Sequence, residues 1–194
     1  MNTGIIILAA GNSSRLGRPK QLLKFKDKTL IELTIDAALK TPFKPIVVVL
    51  GAFADRIQEK LSAEIQFIIN ERWQEGMASG IAAGLAEILK HSPELENIMI
   101  AVSDQPFINA KVLLELQEKQ FSTKKGIIAS RYAQTTGTPA LFNKKYFPQL
   151  LSLTGNNGAK SMLKLHDNDV ETVAFALGNI DIDTENDYHN LIHN

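Results

Sequence analysis

The residues best suited to chemistry lie at the start of the chain. The apolar run 5–10 gives way to the small and polar residues GNSS at 11–14, as a buried parallel strand does when it enters a loop. Small residues leave backbone N–H groups open, and glycine lets the backbone approach a bulky anion closely. Arg15, Arg18 and Lys20 add three positive charges within six residues. The stretch therefore predicts a polyphosphate-binding loop, with an ordinary strand-to-helix turn as the alternative.

Two familiar phosphate-binding loops are excluded by spacing. The chain has no GxxxxGK[ST] pattern, which is typical of ATPase loops, and no GxGxxG pattern, which is typical of dinucleotide-binding folds. The loop is therefore neither of these two types.

Carboxylates follow two later apolar segments. Asp104, in the sequence SDQP, comes directly after the run 98–102, and its oxygens are of the kind that Mg²⁺ prefers. Asp181 and Asp183 alternate in the sequence IDID, which predicts a strand with both on one face. Two carboxylates on one face repel each other unless a cation or solvent relieves them. The alternatives are a helix-capping aspartate at 104 and an exposed edge strand at 180–183.

The start of a third helix is a candidate site for a base or a ribose. Gly76, Ser79 and Gly80 surround the predicted N-terminus of a helix over 77–90. The backbone N–H groups there have no partner within the helix and can bind a ligand. A simple helix cap is the alternative, with the glycines allowing close packing between helix and sheet.

The elements that must position these residues alternate regularly in the first half. We predict strands at 5–10, 45–50, 65–69 and 98–102 and helices at 29–39, 55–61, 77–90 and 109–119. Such alternation is typical of an α/β fold with a mostly parallel, doubly wound sheet, whose ligands bind at the carboxyl ends of the strands. Asp104 and the first loop would then share one crevice.

After residue 125 the alternation changes. We predict strands at 126–132, 138–142, 170–177 and 180–182, helices at 145–151 and 159–166, and a last helix that Thr184 caps. We expect one domain over 1–194, in which 1–125 form a nucleotide-binding half and 126–194 an acceptor-side half.

Composition limits the classes of function. The chain has 194 residues, with 21 basic and 21 acidic side chains, so it offers no overall positive field for nucleic acid or a membrane surface. It has no cysteine, which excludes disulfides and thiolate metal sites. It shows no signal peptide and no apolar segment of about 20 residues. A cytoplasmic location is the expectation.

Five motifs in order resemble those of one enzyme family. LAAGxSSRLGxPKQLL in the first loop resembles the signature of nucleotidyltransferases of the molybdenum cofactor type, which join a nucleoside triphosphate to a phosphorylated acceptor. The other matching motifs are NxxWxxGMxxS from Asn70, the DxP element at Asp104, GTPALF at 137–142 together with GNNGAK at 155–160, and DIDT at 181–184. The resemblance implies a three-layer, Rossmann-like nucleotidyltransferase fold.

The resemblance also implies a role for each matching residue. Lys20, Arg15 and Asp104 would be catalytic, and Asp104 and Asp183 would hold Mg²⁺. The nucleotide would contact Leu8, Ala9, Ala10, Gly11, Ser13, Ser14, Arg15, Lys20, Gly76, Ser79 and Gly80. The acceptor would contact Gly137, Thr138, Pro139, Asn156 and Gly158.

Within the family the chain looks most like molybdenum cofactor cytidylyltransferases, which transfer CMP from CTP to the phosphate of molybdopterin. Guanylyltransferase relatives have LAGG and NINT where this chain has LAAG and DIDT. The implied partners are CTP, a molybdopterin-type acceptor and the apoenzyme of a molybdenum hydroxylase. Two alternatives are a transferase that uses GTP or a sugar-phosphate acceptor, and a non-catalytic nucleotide-binding chaperone for a molybdenum enzyme.

Overall fold

The computed structural model describes residues 2–62, 65–155 and 158–193. The strands of this part of the chain are β1 Thr3–Ala9, β2 Lys24–Phe25, β3 Lys28–Thr29, β4 Ile46–Leu50, β5 Gln66–Ile69, β6 Asn97–Val102, β7 Ile127–Tyr132, β8 Thr135–Asn143 and β9 Val170–Ala174. Its α-helices are α1 Leu30–Leu39, α2 Ala54–Gln58, α3 Met77–His91, α4 Ala110–Thr123, α5 Phe147–Leu151, α6 Lys160–Leu165 and α7 Glu185–His193.

Seven of these strands form one sheet in the order β5-β4-β1-β6-β8-β7-β9. Strands β5, β4, β1 and β6 are parallel to one another. Strand β8 runs antiparallel to both β6 and β7, and β9 is parallel to β7. The carboxyl ends of β1, β6 and β7 therefore lie at the same edge of the sheet, which confirms the predicted mostly parallel α/β fold.

The central strands of the sheet are apolar beyond their first residues, and the sheet is buried on both faces. In β1, Ile5 and Ile7 pack with α1 and α4 on one face. Ile6 and Leu8 pack with α3, α5 and α6 on the other face. This arrangement gives three layers and explains why the first strand is a continuous apolar run rather than an alternating one.

Local signals set the helix starts as predicted. The Thr29 side chain accepts a hydrogen bond from the Glu32 N–H, and the Glu32 carboxylate accepts one from the Thr29 N–H, which completes a capping box. Asn109 caps α4 by accepting from the Val112 N–H. The longest helix of the described residues, α3, has 15 residues, and none is long and apolar enough to cross a membrane.

Two of the predicted strands differ in the structure. The segment predicted over 170–177 ends as β9 at Ala174, and a 3₁₀ turn, Ala176–Asn179, follows it. The predicted strand over 180–182 is wrong, because this segment is not a strand in the structure. Its Ile182 side chain is fully buried and its N–H donates to the Asp104 carbonyl at 3.2 Å. The IDID alternation therefore reflects one buried isoleucine between two acidic residues, and not a paired β-strand.

Helix α3 approaches the sheet closely at Gly84. A Cβ atom at Gly84 would lie 2.9 Å from Cγ2 of both Ile6 and Val49. These methyl groups belong to β-branched side chains of two buried central strands, so neither can move away easily.

Replacing Gly84 with alanine should therefore destabilise the protein although alanine is the better helix former. Overpacking costs about 1–3 kcal/mol, against a gain in helix propensity of about 1 kcal/mol. Urea unfolding of Gly84→Ala should show a lower free energy of unfolding than the wild type. Ala86→Gly, at an exposed position of the same helix, is the control for propensity alone. A more stable Gly84→Ala would contradict the close packing.

Candidate active site

The loop after β1 turns back on itself and returns its basic end to the sheet. Ser13 has a positive φ of 48°, and its carbonyl accepts from the N–H groups of Leu16 at 2.9 Å and Gly17 at 3.0 Å. The Ser13 hydroxyl also accepts from the Lys20 N–H at 3.1 Å. These bonds close the loop and bring Lys20 beside the end of β1.

The Gln21 side chain stabilises the loop by hydrogen bonds to its backbone. Its side chain is 1% exposed, and its Nε2 donates to the carbonyls of Ala9 at 2.9 Å and Gly11 at 3.2 Å. These bonds fix the direction of the backbone where β1 ends. Sequence reasoning missed Gln21 as a functional residue, although it lies inside the matched PKQLL segment.

The Lys20 ammonium group lies between two carboxylates from distant parts of the chain. Its Nζ donates to Oδ2 of Asp104 at 2.6 Å and to Oδ1 of Asp183 at 2.7 Å. Because both oxygens lie so near one nitrogen, the two carboxylates converge on a common point. The Lys20 side chain is 14% exposed, that of Asp104 20% and that of Asp183 32%.

The charges of this cluster shift one another's ionisation. Burial alone would lower the pKa of Lys20, but the neighbouring carboxylates, mainly Asp104, outweigh it and raise that pKa. Burial would raise the pKa of Asp183, but Lys20 and Arg15 outweigh it and lower that pKa. Lys20 and Asp183 are therefore both charged near neutral pH.

The segment that carries Asp183 is tied to the loop by two arginines. Arg15 donates to Oδ2 of Asp183 at 2.5 Å, and its side chain is 67% exposed. Arg18 makes two hydrogen bonds of 2.9 Å to the Glu185 carboxylate. The Tyr188 hydroxyl donates to the Lys24 carbonyl at 3.0 Å. The start of α7 therefore packs against the basic loop.

A cavity of about 390 Å³ opens beside the Lys20 cluster. Its lining comprises Leu8, Ala9, Ala10, Gly11, Asn12, Lys20, Gln21, Trp73, Gln74, Gly76, Met77, Gly80, Val102, Ser103 and Asp104. The structure thus brings most of the predicted nucleotide contacts to one wall, together with the predicted metal ligand Asp104. A wider groove of about 950 Å³ lies beyond Asp181, between the β2–β3 hairpin and α7.

Five predicted nucleotide or metal residues lie outside this lining: Ser13, Ser14, Arg15, Asp183 and Ser79. Ser13 and Ser14 shape the loop, while Arg15 and Asp183 bind each other at its rim. Their contacts with a ligand stay predictions.

The hydroxyl of Ser79, another predicted nucleotide contact, is used within the protein. It accepts from Nδ2 of Asn70 at 2.8 Å and lies 2.8 Å from the carbonyl oxygens of Arg72 and Gly76. These bonds hold the turn before α3. A nucleotide contact by Ser79 likewise stays a prediction.

The predicted acceptor residues belong to two segments, one in β8 and one just before α6. Thr138 and Pro139 lie in β8, and the Thr138 carbonyl accepts from Gln105 Nε2 at 3.1 Å, which joins β8 to the turn that carries Asp104. A Cβ atom at Gly137 would lie 2.2 Å from the Tyr132 hydroxyl oxygen, so only glycine leaves room for that ring.

The second acceptor motif lies against the start of α3. Gly158 has a positive φ of 47°, and a Cβ atom there would lie 2.7 Å from the sulfur of Met77, which lines the cavity. The Ala78 N–H donates to the Gly155 carbonyl at 3.3 Å. Asn156 lies outside the described residues.

The donor set suits a hard divalent cation that also binds phosphate. Within residues 2–62, 65–155 and 158–193 no group of three or more His, Cys, Asp or Glu side chains converges as a metal site. Asp104 and Asp183 do converge, and Mg²⁺ typically takes one or two carboxylates and completes its shell with phosphate oxygens and water. The residues present therefore fit a metal that arrives with a nucleotide.

Comparison with known proteins defines the class to which this fold and site belong. Residues 5–171 match the model of the MobA-like NTP transferase domain. The chain belongs to that family, and is therefore a nucleotidyltransferase of the MobA-like superfamily, as its motifs predicted.

The relatives differ in their reported activities. The chain is 28% identical over 171 residues to nicotine blue oxidoreductase from Paenarthrobacter nicotinovorans, which covers 82% of this chain and 80% of that protein. It is 29% identical over 169 residues to the bifunctional protein GlmU of Clostridioides difficile, covering 85% of this chain but 36% of that longer protein.

Solved structures match over the whole length. Rv0371c from Mycobacterium tuberculosis H37Rv has a TM-score of 0.88 at 27% identity and covers 100% of this chain and 98% of its own. Rv0371c in complex with manganese has a TM-score of 0.83 at 25% identity, covering 99% and 98% of the two chains. The relative was thus solved with a divalent metal.

Gln21→Met should weaken the loop while keeping the volume of the side chain. The buried Ala9 carbonyl and the partly buried Gly11 carbonyl would lose their donor, at a cost of about 1–3 kcal/mol. Urea unfolding should show a lower free energy of unfolding, and the Kd for a nucleoside triphosphate should rise because the loop is no longer preformed. Gln117→Met, which removes one half-buried hydrogen bond to Thr3, should leave that Kd unchanged. An unaltered Kd in Gln21→Met would contradict the loop-fixing role.

Proposed function

We propose that the protein transfers CMP from CTP to the phosphate of molybdopterin and releases pyrophosphate. The observation that carries the proposal is the position of Lys20. It is held between Asp104 and Asp183, beside the cavity that Ala10 and Gly11 line. This cluster puts a positive charge and two hard oxygen donors where the α-phosphate of a bound triphosphate would lie.

The chemistry requires neutralisation of charge rather than a protein nucleophile. An oxygen of the acceptor phosphate forms a bond to the α-phosphorus, and the bond from that phosphorus to the oxygen bridging to the β-phosphorus breaks. Pyrophosphate leaves with the electron pair. Both reactants are anions, so the site must hold them in line and stabilise the charge that develops between them.

Lys20 is suited to the α-phosphate because its ammonium lies at the crevice and is fully charged. When a nucleotide enters, the ammonium exchanges a carboxylate oxygen for a phosphate oxygen without moving far. The N–H groups of 11–13, together with the exposed Arg15, would bind the β- and γ-phosphates. Asp104 and Asp183 would hold Mg²⁺, which supplies Lewis-acid stabilisation of the phosphate charges when bound.

The preference for cytosine rests on Ala10, which lines the cavity. A Cβ atom at the neighbouring Gly51 would lie 2.8 Å from the Cβ atoms of both Ala10 and Trp73. The Ala10 methyl group is therefore packed closely against its neighbours, which limits its movement away from a larger base. Guanylyltransferase relatives, which the chain resembles less, have glycine at this place.

The acceptor is proposed from the resemblance of 137–142 and 155–160 to the acceptor segments of molybdopterin nucleotidyltransferases. Two contacts support an acceptor role: Thr138 accepts a hydrogen bond from Gln105, the residue after the cavity-lining Asp104, and Gly158 lies against Met77, which lines the cavity. A sugar phosphate would need the same charge neutralisation, so the choice of acceptor is decided by experiment.

Pyrophosphate release tests the proposal directly. The purified protein is incubated with Mg²⁺ and each of CTP, GTP, ATP and UTP, with and without molybdopterin. We expect release with CTP that depends on molybdopterin. Release with GTP, or with a sugar phosphate in place of molybdopterin, would establish the alternative transferase. Tight nucleotide binding with no release for any acceptor would favour the chaperone function.

Lys20→Ala should reduce turnover much more than nucleotide affinity. Loss of one charged donor to the transition state costs about 10²–10³ in kcat. Steady-state kinetics should therefore show a collapsed kcat and a smaller rise in KM for CTP. Lys24→Ala, which removes an exposed lysine four residues away, is the matched control. A variant at position 20 with normal kcat and only a raised KM would make Lys20 a binding residue.

Asp104→Asn and Asp183→Asn should differ in severity. Asparagine keeps an oxygen ligand but loses the charge, and guanylyltransferase relatives resembling this chain carry asparagine at the second position. We expect Asp104→Asn to abolish turnover and to weaken Mn²⁺ binding in the presence of CTP, and Asp183→Asn to have milder effects on both. Titration of Mn²⁺ by electron paramagnetic resonance measures this binding. Unchanged Mn²⁺ affinity in Asp104→Asn would remove Asp104 from the metal site.

A further inference from the structure

A second groove, of about 740 Å³, lies at the tip of the β7–β8 hairpin. One wall is the hairpin from Arg131 to Thr136, and the other is the exposed side of α6. Its lining includes Arg131, Thr135, Thr136, Lys160, Lys164 and Asp167. Of these six residues only Lys160, the last residue of the GNNGAK segment, belongs to a motif that was assigned a role.

The lining of the groove has more positive than negative side chains, and its cations form no ion pairs within the described chain. Arg131, Lys160 and Lys164 are exposed, and no described residue pairs with any of these three cations. Asp167 is the one acidic residue of the lining. The chain as a whole has equal numbers of basic and acidic side chains, so this excess is local.

The basic groups of the active site are different. Arg15, Arg18 and Lys20 are each paired with a carboxylate. Other exposed lysines, such as Lys40 and Lys60, also lack a carboxylate partner among the described residues, but the groove brings three cations together in one lining.

The groove lies at the same edge of the sheet as the active site. Strand β7 ends at Tyr132 and is parallel in direction to β6, which leads to Asp104, because both are antiparallel to β8. Helix α6 covers the same face of the sheet as α3, since Met162 and Leu163 share a core cluster with Ile81. The nucleotide cavity and the groove thus open on one edge and one face.

Both segments assigned to the acceptor lead into this groove. Thr135 and Thr136 of its lining immediately precede Gly137, and Lys160 follows Gly158 by two residues. An acceptor that contacts Gly137 and Gly158 would therefore extend naturally toward the three cations.

We propose that this groove binds a second anionic group of the acceptor, away from the phosphate that reacts. The proposal rests on the proposed function and deepens it, since it makes the groove a determinant of acceptor affinity. The guanidinium of Arg131 suits a planar or tetrahedral oxyanion, the two ammonium groups add charge, and the threonine hydroxyls add hydrogen bonds. The groove and the nucleotide cavity share no lining residue, so occupancy of the groove should not affect CTP.

The first experiment measures anion binding without the reaction. The ¹⁵N-labelled protein, saturated with CTP in the absence of acceptor, is titrated with inorganic phosphate while the backbone amide shifts are followed. We expect shifts at 131–136 and 160–164. They should require about tenfold more phosphate in the double variant Lys160→Gln, Lys164→Gln, because charge-assisted hydrogen bonds are lost. The double variant Lys40→Gln, Lys60→Gln, which neutralises two other exposed lysines, should match the wild type.

The second experiment measures the acceptor. In steady-state transfer the Lys160→Gln, Lys164→Gln variant should show a KM for the acceptor raised about tenfold, with kcat and the KM for CTP within about twofold of wild type. Arg131→Gln should act in the same direction. An unchanged acceptor KM would overturn the acceptor role of the groove.

The two failures are distinguishable. Absence of phosphate-induced shifts in the groove, or equal shifts in the variant, would overturn the anion site whatever the protein transfers. If the wild type transfers nothing to any acceptor, the proposed function fails, and the titration alone decides whether the groove binds anions.

Discussion

One ammonium group held between two carboxylates joins three parts of the chain that are far apart in sequence. Lys20 belongs to the loop after β1, Asp104 to the turn after β6, and Asp183 to the segment before α7. Two carboxylates this close repel each other, and the ammonium group between them offsets that repulsion. The Lys20 contact therefore decides how the loop, the β6 turn and the C-terminal segment meet, and it keeps two oxygen donors aimed at one point.

The rest of the structure sets the conditions for that contact. Parallel β1 and β6 deliver their carboxyl ends to one edge, and Gln21 fixes the loop by bonding the backbone on both sides of Ala10. Ile182 is fully buried between its acidic neighbours, which anchors Asp183 in place without a strand. The position of the Lys20 cluster thus depends on apolar packing at Ile182 and on the buried amide of Gln21, neither of which belongs to the cluster.

The sequence predicted the parts of the molecule that local pattern controls. The continuous apolar run of β1, the Thr29–Glu32 capping box and the loop cations were all readable, because periodicity and capping are local properties. The prediction of a strand at 180–182 was wrong, because an alternation of apolar and polar residues cannot distinguish a β-strand from a loop with one buried isoleucine. That Asp104 and Asp183 would share one site was expected from the family motifs. The ion pairs of Lys20 with both carboxylates were missed, since contacts across 84 and 163 residues leave no periodic signal. Gln21 was missed because a buried side chain that bonds the backbone has no signal in the pattern of residue types.

Membership of the MobA-like family defines the fold and the class of chemistry, while the relatives' names include both the bifunctional protein GlmU and an oxidoreductase. The fate of the α-phosphorus separates transfer from every other use of the site. Wild-type protein is incubated with Mg²⁺, molybdopterin and CTP labelled with ³²P at the α-position, and the products are separated. Our account predicts that the label appears in a dinucleotide joined to the acceptor through a phosphoanhydride. Label that stays in CTP or in free CMP would contradict it.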